Sequence, residues 1–272
     1  MTDCAALWRT RARDLAECGR SLADGQPGAA RRLRDALGHI ATTASAQGRR
    51  RLARRARRLA RRLSRRQRLE ATRFLLTRAR ERGLLSPEAA AGLDAGWEPQ
   101  SARAERAAAR VSRKSLRRLQ RRLLALARRR AETSPARLID ARERAREAVV
   151  SPPGPAAGTK EVLRYRRAVR ACVDLGSDLA QAGALAEDAR ARLERTALES
   201  LDRWHDVRRF RRRLENSRKK AERQGAVMLV SELDVFLAVL DRTEKDARRR
   251  ALEAAGPLSN VIPLSERTAA GG

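Results

Sequence analysis

An all-α fold is what this chain of 272 residues predicts, and three observations carry the prediction. Apolar residues recur at intervals of three and four along its length, which returns them to one helical face at roughly 100° per residue. β-branched residues are few, and no segment alternates apolar and polar side chains in the manner of a half-buried strand. The apolar content of 42% is ample for a core, but much of it is Ala and Leu, a composition suited to closely packed helices.

The elements follow from these periodicities and their breakers. A first helix is expected from about Ala5 to Ala23, stopped by Asp24-Gly25-Gln26-Pro27-Gly28, and a second from about Ala29 to Gln47, ending at Gly48. A third runs from Arg49 to about Arg82, where Gly83 and Ser86-Pro87 break it. Glu88 to Leu93 predicts a short helix before a turn at Trp97-Glu98-Pro99, and a long basic helix is expected from about Ala102 toward Val149, with an interruption near Ser134-Pro135. Ser151-Pro152-Pro153-Gly154-Pro155-Ala156-Ala157-Gly158 can join no helix and reads as a linker between two halves. Beyond it lie helices at about Lys160 to Ala182, Ala186 to Arg223 and Val227 to Ala255. The last is the most apolar, with Leu229, Leu233, Phe236, Leu237 and Leu240 on one face. The expected division is therefore a first helical bundle over 1–150, a linker over 151–160, a second bundle over 161–255 that is one helix short, and a disordered tail over 256–272.

Charge is the anomaly. The net charge is +30, and of 63 Lys and Arg only five are Lys, leaving 58 Arg. Between Arg49 and Arg68 twelve residues in twenty are basic, threaded by the apolar stripe Leu52, Ala56, Leu59 and Leu63, and no acid occurs from Ala36 to Leu69. Arg50, Arg54, Arg58, Arg62 and Arg66 stand at successive i+4 positions, where each like-charge pair costs about 0.2 to 0.5 kcal/mol. A GC-rich genome explains Arg in place of Lys but not this excess. An ordinary solvated face interleaves acids with bases, so the uncompensated repulsion points to a polyanionic partner.

Other classes find little support. Met1 to Ala12 carries Asp3, Arg9 and Arg11 and has no apolar core of signal length, and nowhere are eighteen apolar residues consecutive. Cys4, Cys18 and Cys172 are odd in number and far apart, which reads as idle thiols in a reducing cytoplasm. A phosphohydrolase metal site around His205-Asp206 needs several further histidines, and only His39 remains; His39 itself reads as a surface residue. There is no Gly-x-x-x-x-Gly-Lys-Ser/Thr phosphate loop, so no enzymatic activity and no cofactor are expected.

A weak internal repeat lays Leu63-Ser-Arg-Arg-Gln-Arg-Leu-Glu-Ala-Thr-Arg-Phe-Leu-Leu76 on Leu201-Asp-Arg-Trp-His-Asp-Val-Arg-Arg-Phe-Arg-Arg-Arg-Leu214. Two helical halves, a strongly basic surface and this repeat together resemble the CHAD domain family, over most of residues 5 to 255. Leu201-Asp-Arg-Trp-His205-Asp206-Val207 is similar to the family's second-half segment, and Leu63 through Gln67-Arg68-Leu69-Glu70 keeps its apolar frame in the first half. Pro27 through Arg31, Arg32 and Arg34 is similar to the opening signature, with Arg31 where a histidine would stand. Leu163 through Tyr165, Arg166 and Arg170 is similar to its second-half counterpart, with Leu163 replacing the histidine. Val111-Ser112-Arg113-Lys114-Ser115-Leu116-Arg117 resembles a further family segment.

The resemblance implies two pseudo-symmetric antiparallel helical bundles that bind inorganic polyphosphate without catalysis, in the cytoplasm and in association with polyphosphate granules. The phosphate-binding residues expected from it and from the arginine arrays are Arg31, Arg34, Arg54, Arg58, Arg62, Arg65, Arg68, Arg113, Lys114, Arg117, Arg166, Arg170 and His205. Guanidinium forks on rigid helices can follow a phosphate chain without reading a sequence. Nucleic acid is the rival partner, since composition alone does not separate the two. Only seven aromatic residues are present, mostly at apolar helical spacing, which argues against a stacking platform for single-stranded bases.

Overall fold

The computed structural model describes residues 4–129, 134–184 and 189–259, and the protein is all-α: among these residues there is no strand. The helices are α1 (Cys4–Ala23), α2 (Ala29–Ala46), α3 (Arg50–Glu81), α4 (Pro87–Ala109), α5 (Arg113–Arg128), α6 (Pro135–Glu147), α7 (Thr159–Gln181), α8 (Ala189–Arg223) and α9 (Val227–Ala255). Gly48 and Gly83, at φ 70° and 66°, close α2 and α3 in the left-handed region that a side chain would disfavour.

Two boundaries differ from the sequence expectation. Trp97, Glu98 and Pro99 form no turn; α4 runs straight through them. Trp97 and Ser101 are buried on the inner face while Pro99 is exposed, so the carbonyl that loses its partner to proline faces water and packing holds the helix together. The break comes instead at Val111-Ser112, where the Ser112 hydroxyl caps α5 by accepting from the Ser115 backbone N–H. Gly256–Leu258, counted above with the tail, form a 3-10 turn that buries Leu258. Residues 260–272 of that tail lie outside the described residues.

Four apolar clusters organise the helices. One joins α1, α2, α3 and α5 around Trp8, Leu37, Leu63 and Leu119. A second joins α7, α8 and the end of α9 around Val169, Leu201, Trp204 and Ala251. A third lies between them and takes Leu76 from α3, Leu93 and Trp97 from α4, Phe210 and Leu214 from α8, and Leu233 and Phe236 from α9. The fourth seals α1 and α6 against α7 through Leu7, Leu138, Leu175 and Leu179. Apolar contact thus runs continuously across the Pro-rich segment.

The two longest helices, α3 with 32 residues and α8 with 35, each serve two clusters. α3 gives Leu52 to Leu63 to the first and Leu76 to the third; α8 gives Leu201 and Trp204 to the second and Phe210 and Leu214 to the third. Between its two apolar blocks each helix is mainly polar, at Ser64 to Arg68 on α3 and, Val207 apart, at His205 to Arg209 on α8. Those two stretches fall inside the internal repeat.

Candidate functional site

The polar stretches of α3 and α8 converge with α2 and α7 on a basic junction. Arg34 on α2 donates to the Gln67 side-chain oxygen at 3.0 Å and to Asp35 at 2.7 Å. On the opposite side, Asp202 of α8 receives Arg166 Nε at 2.6 Å and Arg170 Nη2 at 2.5 Å, both from α7. Arg170 also lies 3.7 Å from Asp35, so α2, α7 and α8 are linked through alternating charges. Arg31 reaches Asp35 at 3.9 Å; burial would raise the Asp206 carboxyl, but His205 first, then Arg31 and Arg166, hold it below the usual range.

Arg209 stands apart from these pairs. It is half-buried on α8, one helical step of four beyond His205, and no described residue accepts a hydrogen bond from it or pairs with it. Burial, with Arg68, Arg34 and Arg166 adding repulsion and Asp206 offsetting part, pulls its guanidinium down to about 10. A guanidinium in that position is one that an anion would relieve.

A cavity of about 510 Å3 opens beside it, lined by Gln67, Arg68, Arg209, Arg212, Arg213 and Lys220, with Asp206 as the carboxylate among its described lining residues. Its far wall is the third apolar cluster, including Leu93, Trp97 and Phe210. Arg213 lies over the Trp97 ring, 4.8 Å from its centroid, and donates to Gln100, while its buried Nε has no partner. Trp97 is fixed by its own indole N–H, which donates to Ser217 at 3.0 Å. Burial first, then Arg68 and Arg73, also pull the Arg213 guanidinium down.

The expected site residues divide accordingly. Arg31, Arg34, Arg68, Arg166, Arg170 and His205 surround the junction, while Arg65 stands on the exposed side of α3 beside Arg68. Of these, Arg34, Arg166 and Arg170 are already neutralised by Asp35 and Asp202. His205 lies 3.8 Å from Asp206, and burial pushes its imidazole below the usual range despite that carboxylate, so near neutral pH it offers a neutral N–H rather than a charge. Arg54, Arg58 and Arg62 sit further toward the α3 N-terminus on its exposed surface, with Arg62 donating to the Arg110 carbonyl. Arg113, Lys114 and Arg117 lie away from the junction on α5, where Lys114 and Arg117 share an open basic face with Arg118 and Arg121.

Sequence reasoning passed over Arg209, Arg212, Arg213 and Lys220. A signal was present, since Arg209, Arg213 and Lys220 extend the His205 face of α8 at helical spacing. His39 is also corrected: its side chain is only 15% exposed, with Nε2 2.9 Å from Asp178 and 2.7 Å from the Asp174 carbonyl oxygen. It belongs to the seam between α2 and α7 because burial there leaves the imidazole no water to bond.

Cys18 is half-buried and Cys172 buried, both as free thiols, and burial first, then Glu194, pushes the Cys172 thiol up to about 12. No group of His, Cys, Asp and Glu among the described residues is disposed to hold a metal ion, and no helix among them is long and apolar enough to cross a membrane. The chain matches no model of a known protein family, no curated protein and no solved structure.

Proposed function

We propose that the protein binds inorganic polyphosphate without catalysis, in the cavity that α3 and α8 form with α4, as the CHAD resemblance implies. The observation that carries this reading is the unpaired, half-buried Arg209 set among Arg34, Arg68 and Arg166. Polyphosphate would supply the missing acceptor oxygens to Arg209, Arg68 and the free Nε of Arg213, each as a charge-assisted hydrogen bond. Five cations, Arg68, Arg209, Arg212, Arg213 and Lys220, line the cavity against the single carboxylate of Asp206 among the described lining residues, a charge balance that suits a phosphate chain. The pseudo-symmetric pairing of two bundles, and a cytoplasmic place beside polyphosphate granules, belong to the same proposal.

A nucleic-acid backbone is the second reading, favoured by the open face of Lys114, Arg117, Arg118 and Arg121 on α5, which has no acid among its lining residues. Competition separates the two. Long-chain polyphosphate should displace duplex DNA of equal phosphate content at physiological salt and should not be displaced by it. Stoichiometric displacement of polyphosphate by DNA would reverse the ordering and favour the second reading.

A further inference from the structure

Resting on the polyphosphate reading, we infer that the ligand chain does not end in the cavity but continues along the outer ridge of α3, on a track formed by Arg68, Arg65, Arg61, Arg58 and Arg54. At 100° per residue these five positions fall within a wedge of about 80°, opposite the buried stripe of Leu52, Ala56, Leu59 and Leu63. Their spacing of four, three, four and three residues sets one guanidinium every about 5 Å, over about 21 Å of helix.

All five are exposed. Of those on either side, Arg57 donates to the Ser45 hydroxyl, Arg62 to the Arg110 carbonyl and Arg66 to Glu70, while Arg51 and Arg55 have no partner among the described residues. On the ridge itself Arg54, Arg58, Arg61 and Arg65 have no partner among the described residues, and Arg68 makes one bond, from Nε to the Ser64 carbonyl. The nearest acid along the chain, Glu70, is taken by Arg66. The ridge is thus a continuous row of arginines without an ion pair among the described residues.

The same ridge changes character just beyond Arg68. Thr72, the next residue on it, is buried, and Ala71, Thr72 and Leu75 line the cavity. α3 therefore passes from an open basic ridge to a cavity wall within one turn, with Arg68 at the mouth. A phosphate chain seated on Arg209 and Arg68 leaves the cavity facing Arg65, and each further step along the ridge meets another unpaired fork. This makes affinity depend on chain length: a short phosphate fills the cavity alone, while a long chain adds ridge contacts and releases more counterions.

The test compares tripolyphosphate with long-chain polyphosphate on the intact protein and on two variants, the ridge triple Arg54→Ala, Arg58→Ala, Arg61→Ala and the cavity variant Arg209→Ala, using calorimetry for the short ligand and fluorescence anisotropy for the long one. The ridge residues are exposed on a helix that Ala favours, so the triple variant should fold, which circular dichroism checks. The ridge variant should lose roughly tenfold in long-chain affinity and keep its tripolyphosphate affinity, and its log-log salt slope should become shallower by roughly two. The cavity variant should weaken both ligands. Equal losses of the two ligands in the ridge variant, or no loss of either, would overturn the track while leaving the cavity assignment standing. Failure of the unaltered protein to bind either phosphate would overturn the proposed function, and the track with it.

Discussion

Arg11 on α1 donates from Nε and Nη2 to a single oxygen of Asp178 on α7, the shorter contact being 2.6 Å, and the carboxylate is completely buried. The other Asp178 oxygen accepts from Thr43 on α2 at 2.5 Å, and His39 closes the network. Three helices from both sides of the Pro-rich segment are therefore pinned at one carboxylate. Asp178→Ala should destabilise the protein by about 3 to 5 kcal/mol, because it removes the buried counter-charge of Arg11 and leaves only the half-buried Asp14 beside it. Chemical denaturation measures this, and a loss below about 1 kcal/mol would show that water replaces the carboxylate.

The same network makes stability depend on pH through His39. Burial alone would lower its pKa, but the charge and hydrogen bond of Asp178, with Asp174 behind them, carry it above the ordinary value. Its contribution is thus fully present below about pH 6.5 and is lost as the pH rises through the folded value. Asp178 is held low against burial, chiefly by His39 and Arg11, so its contribution is present above about pH 4 and lost as the pH falls through its depressed value. Asp174 opposes both, since burial pushes its carboxyl up and its charge at neutral pH works against folding. His39→Gln should flatten the fall in melting temperature as the pH rises above about 6.5, as a thermal melt series would show.

Arg209 should trade stability for binding. Replacing it by Met keeps the stem and removes a charge that burial and three arginines disfavour, so the folded state should gain about 1 kcal/mol after allowance for solvent screening. Long-chain polyphosphate affinity should fall roughly tenfold in the same variant. A melting temperature that falls instead would mean Arg209 is held by contacts the fold needs.

Asp202 restrains two cations that face the junction. Asp202→Asn frees Arg166 and Arg170 from their 2.5 Å contacts and should tighten polyphosphate binding several-fold, at a stability cost of about 1 kcal/mol. Unchanged affinity would show that these arginines brace α7 against α8 and never meet the ligand.

The helices were legible where periodicity and breakers agreed: the stripe Leu52, Ala56, Leu59 and Leu63 predicts α3, and Gly48 and Gly83 bound it. The repeat from Leu63 to Leu76 and from Leu201 to Leu214 located the two stretches that converge on the junction, although its meaning is tertiary. Pro99 misled because local propensity ends a helix there, whereas buried Trp97 and Ser101 hold it. His39 misled because a lone histidine in sequence carries no sign of the Asp178 that lies 139 positions further along the chain.

By itself the sequence determined that the protein is all-α, that α3 buries one stripe and exposes arginine, and that the charge excess is uncompensated along the helix. Those are properties of neighbours within a few turns, which spacing and residue type control. Which arginines are free was decided only by tertiary structure. Arg166 and Arg170 look no different in sequence from Arg209, yet Asp202 neutralises the first two and nothing described meets the third. Pairing depends on which carboxylate folding brings within about 4 Å, and Coulomb interaction at that range separates a brace from an open donor.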